Sequence, residues 1–254
     1  MNVRAYYNEH DPFAAAWLRN LIDAGHIAHG DVDERSIIDV RPSELAGYTQ
    51  CHFFAGIGGW SYALRLAGWP DDRPVWTGSC PCQPFSAAGK GGGFADERHL
   101  WPEFDRLIGE CRPSVVFGEQ VASKDGLAWL DLVQADMEAK DYAFGAVDLC
   151  AAGVGAPHIR QRLFWVADAQ SQGRRWRPEM AAGRCQEFGG PSEAIRFVSW
   201  PDGSGSSSTL TVAEVCSPSH GIPNRVGSLR GYGNAIVPQV AAEFIRAFSE
   251  VRAA

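Results

Sequence analysis

Long apolar runs are missing from this 254-residue chain. No window approaches the roughly 18 uninterrupted apolar residues that a membrane span needs, so no membrane association is expected. The first twelve residues, MNVRAYYNEHDP, hold no apolar stretch of signal type. No internal repeat is visible. Metal-type cysteine spacing is also missing. The seven cysteines are an odd, scattered set. The one close pair, Cys80 and Cys82, has a single residue between them, where zinc sites use about two to four. No second Cys/His pair stands near it, so no metal site is expected. Neither a zinc centre nor a disulfide framework follows, and reduced thiols point to a cytoplasmic setting. Excess positive charge is missing as well: the formal net charge is −7. That argues against a general nucleic-acid coating protein but leaves room for a local basic face.

What is present is ordinary globular composition, 45% apolar and 21% charged. The length suits one medium domain with a small insert. Val3 to Tyr7 reads as a short strand. Asp11 can cap a helix with Pro12 at its first position, and Phe13, Trp17, Leu18, Leu21 and Ile22 recur at helical spacing before Gly25. Ile27 to Val32 reads as a second strand. Cys51 to Phe54 is a third, followed by the turn Ala55-Gly56-Ile57-Gly58-Gly59 and a helix from Trp60 to Ala67. Val75 to Thr77 leads into Gly78-Ser79-Cys80-Pro81-Cys82-Gln83-Pro84-Phe85-Ser86, with a glycine-rich stretch at 89–93. Helices are expected over Leu100–Cys111 and Leu127–Ala139, the latter with Leu127, Leu130, Val133, Gln134 and Met137 on one face. Strands are expected at Ser114–Phe117, Tyr142–Leu149 and Arg162–Ala167, and a last helix over Pro238–Val251. This alternation predicts an α/β fold with a mainly parallel sheet and helices on both faces. Between Gln170 and Arg225 the chain turns irregular and rich in Gly, Ser, Pro and Arg.

Several residues have the chemistry of a site. The glycines at 56, 58 and 59 let backbone approach a ligand at a helix N-terminus, although a bare strand-helix turn has the same composition. A cysteine just after a strand can face a cleft as a thiolate; a buried structural thiol is the alternative. Glu119 stands at the expected end of an apolar strand, where ligands bind in open α/β sheets and a carboxyl can hold a proton near neutrality. The other reading is a solvated strand-end acid. Arg160 and Arg162 alternate and so share a strand face, as an anion-binding pair or as surface ion pairs.

Taken together, these segments resemble the DNA (cytosine-5) methyltransferases. Phe54-Ala55-Gly56-Ile57-Gly58-Gly59 resembles that family's cofactor motif, and Gly78 to Ser86, with Pro81-Cys82-Gln83 at its centre, its nucleophile motif. Gly118-Glu119-Gln120-Val121 is similar to its Glu-Asn-Val motif with Gln for Asn. Pro157-His158-Ile159-Arg160-Gln161-Arg162 is similar to Gln-x-Arg-x-Arg with His for Gln. Gly231 to Pro238 resembles its C-terminal Gly-Asn motif. Two elements the family carries after the glycine motif stand instead near the N-terminus: Asn8-Glu9-His10-Asp11-Pro12 and Gly30-Asp31-Val32. A permuted order is therefore expected, with the second and third strands of the sheet preceding the first.

The resemblance implies a Rossmann-like S-adenosylmethionine-dependent methyltransferase fold acting on double-stranded DNA. It implies a catalytic domain over 1–168 whose first 49 residues carry the displaced cofactor elements. A short irregular target-recognition region would cover 169–225, and 226–254 would return to the catalytic domain. Catalysis would rest on Cys82, Glu119, Arg160 and Arg162. The cofactor would meet residues 54–59 (Phe54, Ala55, Gly56, Ile57, Gly58, Gly59), Asn234 and Ala235, with Glu9 on the ribose, His10 on the adenine face and Asp31 on the adenine amine. DNA would meet Gln83, Ser86, Arg174, Arg175 and Arg177. A monomer of the restriction-modification or phage type is expected. A non-catalytic relative, or the same chemistry on RNA or with another transferred group, shares most of these residues; the presence of both Cys82 and Glu119 favours catalysis.

Overall fold

Among the described residues seven strands form one sheet, in the spatial order β2-β1-β3-β4-β5-β7-β6. The strands are β1 (Ala5–Asn8), β2 (Gly30–Asp33), β3 (Gln50–Phe53), β4 (Val75–Gly78), β5 (Val115–Val121), β6 (Ala143–Cys150) and β7 (Gln161–Asp168). The computed structural model describes residues 4–81, 100–156, 159–169 and 235–253. β1 to β5 run parallel, whereas β7 is antiparallel to both β5 and β6. If the count starts at β3, the first five positions read 3-2-1-4-5, the order of a doubly wound nucleotide-binding sheet.

Among the described residues the helices are α1 (Pro12–Asp23), α2 (Gly59–Leu66), α3 (Trp101–Cys111), α4 (Lys124–Glu138) and α5 (Pro238–Ala253). α1 starts where the sequence predicts. Asp11 accepts from Phe13 N and Ala14 N at 2.9 and 3.1 Å, Pro12 fills the first turn, and Gly25 follows with a left-handed φ of 71°.

Strand alternation sorts the core onto two faces. Ala5 and Tyr7 of β1 pack with Leu18 and Ile22 of α1. On the same face Val115 and Phe117 of β5 and Phe164 and Val166 of β7 pack under Trp60 and Leu64 of α2 and Phe244 and Phe248 of α5. Tyr6, Cys51, Phe53, Trp76, Val116 and Trp165 point the other way, into a cluster with Trp101 and Phe104 of α3 and Trp129 and Val133 of α4. Each large side chain so buried stabilises the fold by about 1.5–3 kcal/mol before cavity effects. Gly118 is required by this packing: a Cβ there would lie 2.1 Å from the Trp165 ring.

Some sequence expectations are corrected. β5 continues through Gly118 and Glu119 to Val121, because β7 supplies an antiparallel partner along its full length. The inward face of α4 carries Gly126, Trp129, Val133 and Met137, while Leu127 is 53% exposed, since the helix begins at Lys124 and its face is set by the large indole. β2 starts only at Gly30, and Ile27 before it is a core residue. Three short 3-10 turns, Ile37–Asp39, Pro42–Glu44 and Ala151–Val154, have no counterpart in the apolar pattern. Among the described residues no helix is long and apolar enough to cross a membrane.

His52 of β3 is 1% exposed, stacked on Tyr7 at 4.9 Å and hydrogen-bonded through Nδ1 to Thr77 Oγ1 at 2.8 Å. Burial drives its pKa down to about 3. The unfolded chain therefore takes up a proton below about pH 6.5 that the folded chain refuses, and stability falls with pH from there. Urea unfolding is expected to show His52 contributing a loss of about 2 kcal/mol between roughly pH 7 and 5, and His52→Gln is expected to flatten that slope.

Candidate active site

The parallel register places one residue from each of five strands side by side: Asp33, Asn8, Phe53, Gly78 and Gly118. The next residue along each chain forms the row above it: Glu34, Glu9, Phe54, Ser79 and Glu119. This row is the carboxyl edge of the parallel strands, and it borders a cavity of about 430 Å³. Glu9, His10, Phe13, Ser36, Ile37, Phe54, Gly56 and Ile57 line one part of it. Ser79, Cys80, Pro81, Glu119, Gln120, Arg162 and Ala235 line another.

The turn after β3 is bent by left-handed residues: Phe54, Gly56 and Gly58 have φ of 52°, 55° and 83°. A side chain at Gly56 would meet open space, whereas one at Gly58 would press on Leu18 and Leu21 of α1. Glycine thus keeps the turn both open above and tight against α1. Glu9 holds the turn: its Oε2 accepts from Gly56 N at 2.7 Å and its Oε1 from Asp11 N at 2.8 Å. Asn8 is buried and donates to Asp33 O and Arg35 O at 3.3 and 2.8 Å. It thereby fixes the bend after β2 that brings Ser36 and Ile37 to the cavity wall. His10 Nδ1 is 3.0 Å from Glu34 O.

At the other part, Glu119 is buried and its Oε1 lies 2.6 Å from Arg162 Nε. β7 carries Arg162 opposite Val121, two residues along the strand from Glu119 and on the same face of the sheet. Burial raises the Glu119 pKa, and Arg162, Arg160 and a hydrogen bond from Ser79 act against it. The carboxyl can therefore carry a proton or a charge within the same geometry, which suits a group that gives and regains a proton. Arg160 donates to Ala235 O at 2.8 Å, joining the start of β7 to the chain just ahead of α5. Ser79 accepts from Trp60 Nε1 at 3.0 Å. Gln120 is buried at the cavity wall; its Oε1 accepts from Val121 N, and its Nε2 has no hydrogen-bond partner among the described residues.

The structure brings together Glu9, His10, Phe54, Ala55, Gly56, Ile57, Glu119, Arg162 and Ala235 of the residues expected from sequence. Gly58 and Gly59 form the base of the turn, and Arg160 flanks the site. Asp31 is a correction. It pairs with Tyr6 in the sheet, three residues short of the Glu34–Glu9 row, or roughly 10 Å at the usual strand rise. Its carboxylate is held by Arg4 and by the Tyr48 hydroxyl, away from the cavity. Ser36 and Ile37 line the wall instead. Cys82, Gln83, Ser86, His158, Arg174, Arg175, Arg177 and Asn234 lie outside the described residues, as does all but the first residue of the 169–225 region. Cys80 is buried, and burial pushes its thiol up, away from thiolate chemistry. The sequence pattern assigns no site role to Ser79, Trp60, Asn8, Ser36 or Ile37, all of which line the cavity. The signal that could have found Ser79 is its position directly after a strand, level with Glu119.

Comparison with known proteins adds an independent line. Residues 69–193 match the family model described as C-5 cytosine-specific DNA methylase. The Type II methyltransferase M.HhaI of Haemophilus parahaemolyticus is 30% identical over 169 residues, covering 51% of this chain and 52% of the relative. The Type II methyltransferase M.CviJI of Paramecium bursaria Chlorella virus IL3A is 33% identical over 99 residues, covering 39% and 27%. The chain thus spans about half the length of the first of these relatives and less of the second. Among solved structures, a DNMT2 protein of Spodoptera frugiperda aligns over 68% of this chain and 44% of its own, at 15% identity and a TM-score of 0.45.

Removing Arg162 strands a buried carboxylate. Arg162→Met is expected to cost about 3 kcal/mol of unfolding free energy near pH 8, and clearly less near pH 5, where protonation of Glu119 relieves the charge. Urea titrations at the two pH values check this; equal losses would detach the effect from the carboxylate.

Proposed function

We propose that the chain is a member of the C-5 cytosine-specific DNA methylase family, whose model matches residues 69–193, and that it transfers a methyl group from S-adenosylmethionine to C5 of cytosine in double-stranded DNA. The observation that carries this reading is the buried Glu119–Arg162 pair at 2.6 Å, sharing one cavity with the Glu9-braced glycine turn. An acid-base group and a nucleotide-type cradle then face the same space.

The residues fit the cofactor by their chemistry. Each Glu9 oxygen already accepts one backbone N–H and keeps a lone pair for a ribose hydroxyl. Phe13, Ile37 and Phe54 offer apolar wall to a flat base, with His10 beside them. The open space over Gly56 admits a ligand close to backbone. When bound, S-adenosylmethionine supplies an electrophilic methyl group.

The chain's own groups do the rest. Cys82 follows Pro81, which lines the cavity, and its thiolate adds to C6 of a cytosine extruded from the duplex, since a stacked base hides its ring face. Glu119 gives its proton to N3 as the sulfur–carbon bond forms, so the electron pair displaced from the C5–C6 bond accumulates at C5. Arg162, with Arg160, steadies O2 and takes up the carboxylate charge that Glu119 is left with. After methylation a base removes the C5 proton, the sulfur–carbon bond breaks, Cys82 leaves as thiolate, and the N3 proton returns to Glu119. Residues 169–225 act as the target-recognition segment, with Arg174, Arg175 and Arg177 serving phosphate contacts or groove insertion, and Gln83 and Ser86 meet DNA beside the nucleophile. β1 and β2 are read as the family's second and third strands placed ahead of its first, an order that the sheet accepts because a site needs strand ends adjacent in space. That order and the 3-2-1-4-5 arrangement support the reading.

Radiolabelled methyl transfer to DNA, run beside tRNA, tests the assignment. Cys82→Ala is expected to abolish transfer while keeping S-adenosylmethionine binding by calorimetry. Glu119→Gln is expected to lower kcat by about 10²–10⁴. Full activity of Cys82→Ala would overturn the mechanism, and transfer to tRNA alone would change the substrate.

A further inference from the structure

We infer that Ser79 is a positioning residue for Glu119, its single proton aimed at the carboxyl by the Trp60 indole, so that Glu119 presents one fixed oxygen to an incoming base edge. This rests on the reading of Glu119 as the group that protonates cytosine.

The sense of each hydrogen bond is settled by chemistry. An indole N–H can only donate, so Trp60 Nε1 gives its proton to Ser79 Oγ at 3.0 Å. The hydroxyl has one proton, and with Trp60 donating to its oxygen that proton is free for the neighbouring carboxylate, which can only accept. The relay therefore runs one way, from indole to hydroxyl to carboxyl.

Packing holds its first member still. Trp60 is 4% exposed, stacked on Phe117 at 6.1 Å and set edge-on to Phe164 at 5.9 Å. Register holds the second: Ser79 and Glu119 each follow one of the paired residues Gly78 and Gly118. Arg162 Nε engages Glu119 Oε1. The carboxyl torsion, broad in an unconstrained Glu, is thus gripped by a hydroxyl donor and a guanidinium donor together. The groups that face Glu119 among the described residues are Arg162 and Arg160 from β7 and its approach and Ser79 after β4, with Trp60 of α2 behind it. When the proton leaves for the base, the O–H and N–H donors are already in place to receive the negative charge.

Ser79 therefore also sets the pH at which the carboxyl lets go. Donation to the charged form lowers that pH, so loss of the hydroxyl raises it. The test reads the carboxyl stretch of Glu119 by infrared titration of the full chain, assigned by its loss in Glu119→Gln. Ser79→Ala is expected to move the midpoint upward by about one pH unit. Trp60→Phe is expected to move it the same way by less, and Ser79→Thr to restore the original midpoint. In methyl-transfer assays the alkaline limb of kcat is expected to move with the midpoint. An unchanged midpoint in Ser79→Ala would overturn the proposal. Absence of transfer to DNA by the unaltered chain would overturn the functional reading instead, and the titration would still decide the role of Ser79.

Discussion

Hydrogen bonds between parallel strands allow no half-steps, and a one-residue slip turns every side chain to the opposite face. Here that constraint lines up Asn8, Phe53, Gly78 and Gly118 across four strands. Glu9, the glycine turn, Ser79 and Glu119 then emerge at one level. The cavity exists because these strands end together. Its two kinds of chemistry, a braced turn and a buried carboxyl, come from stretches that are far apart in the chain. The helices maintain the row from both sides: α1, α2 and α5 on one face, α3 and α4 on the other.

The electrostatics follow from where the row stands. Glu119 is close enough to the core to be desolvated, which favours its neutral form, and close enough to Arg162 to be charged. Desolvation is the larger effect, so the carboxyl's pKa stands above its ordinary value, and the two arginines limit the rise. A carboxyl deeper in the sheet would stay protonated, and one in solvent would stay ionised. The antiparallel β7 is what allows this balance, since it delivers arginines from the opposite chain direction to the end of β5. A sixth parallel strand would have put its own carboxyl-terminal residues there.

Much of the architecture was legible locally. The Asp11-Pro12 start of α1, the glycine turn and the β-α alternation each declare themselves within a few residues, and they identify the fold class and the glycine-turn side of the cavity. What escaped depended on pairing between distant segments. Glu119 reads as a strand end until β7 is seen to prolong β5. Asp31 looks suitable by type, but the register sets it roughly 10 Å too low, with Arg4 and Tyr48 already upon it. Leu127 has helical spacing to its neighbours, yet Trp129 claims the inner face because the larger apolar surface gains more from burial. Ser79 lies at the edge of the motif centred on Cys82, but its own role depends on Trp60 and Glu119, which come from other elements.

α5 and β7 match in length. Sixteen helical residues rise roughly 24 Å and eight strand residues roughly 26 Å. Both ends are tied, Arg160 to Ala235 at one and Asp168 to Arg252 at the other. The chain between residues 169 and 235 is therefore an excursion with two fixed terminals, leaving from the amino edge of the parallel strands and returning at the carboxyl edge, beside the cavity. Closing a longer excursion costs only about 0.6 kcal/mol for each doubling of its length. The brace thus fixes both terminals of that segment by contacts that lie wholly within β7, α5 and the residues beside them.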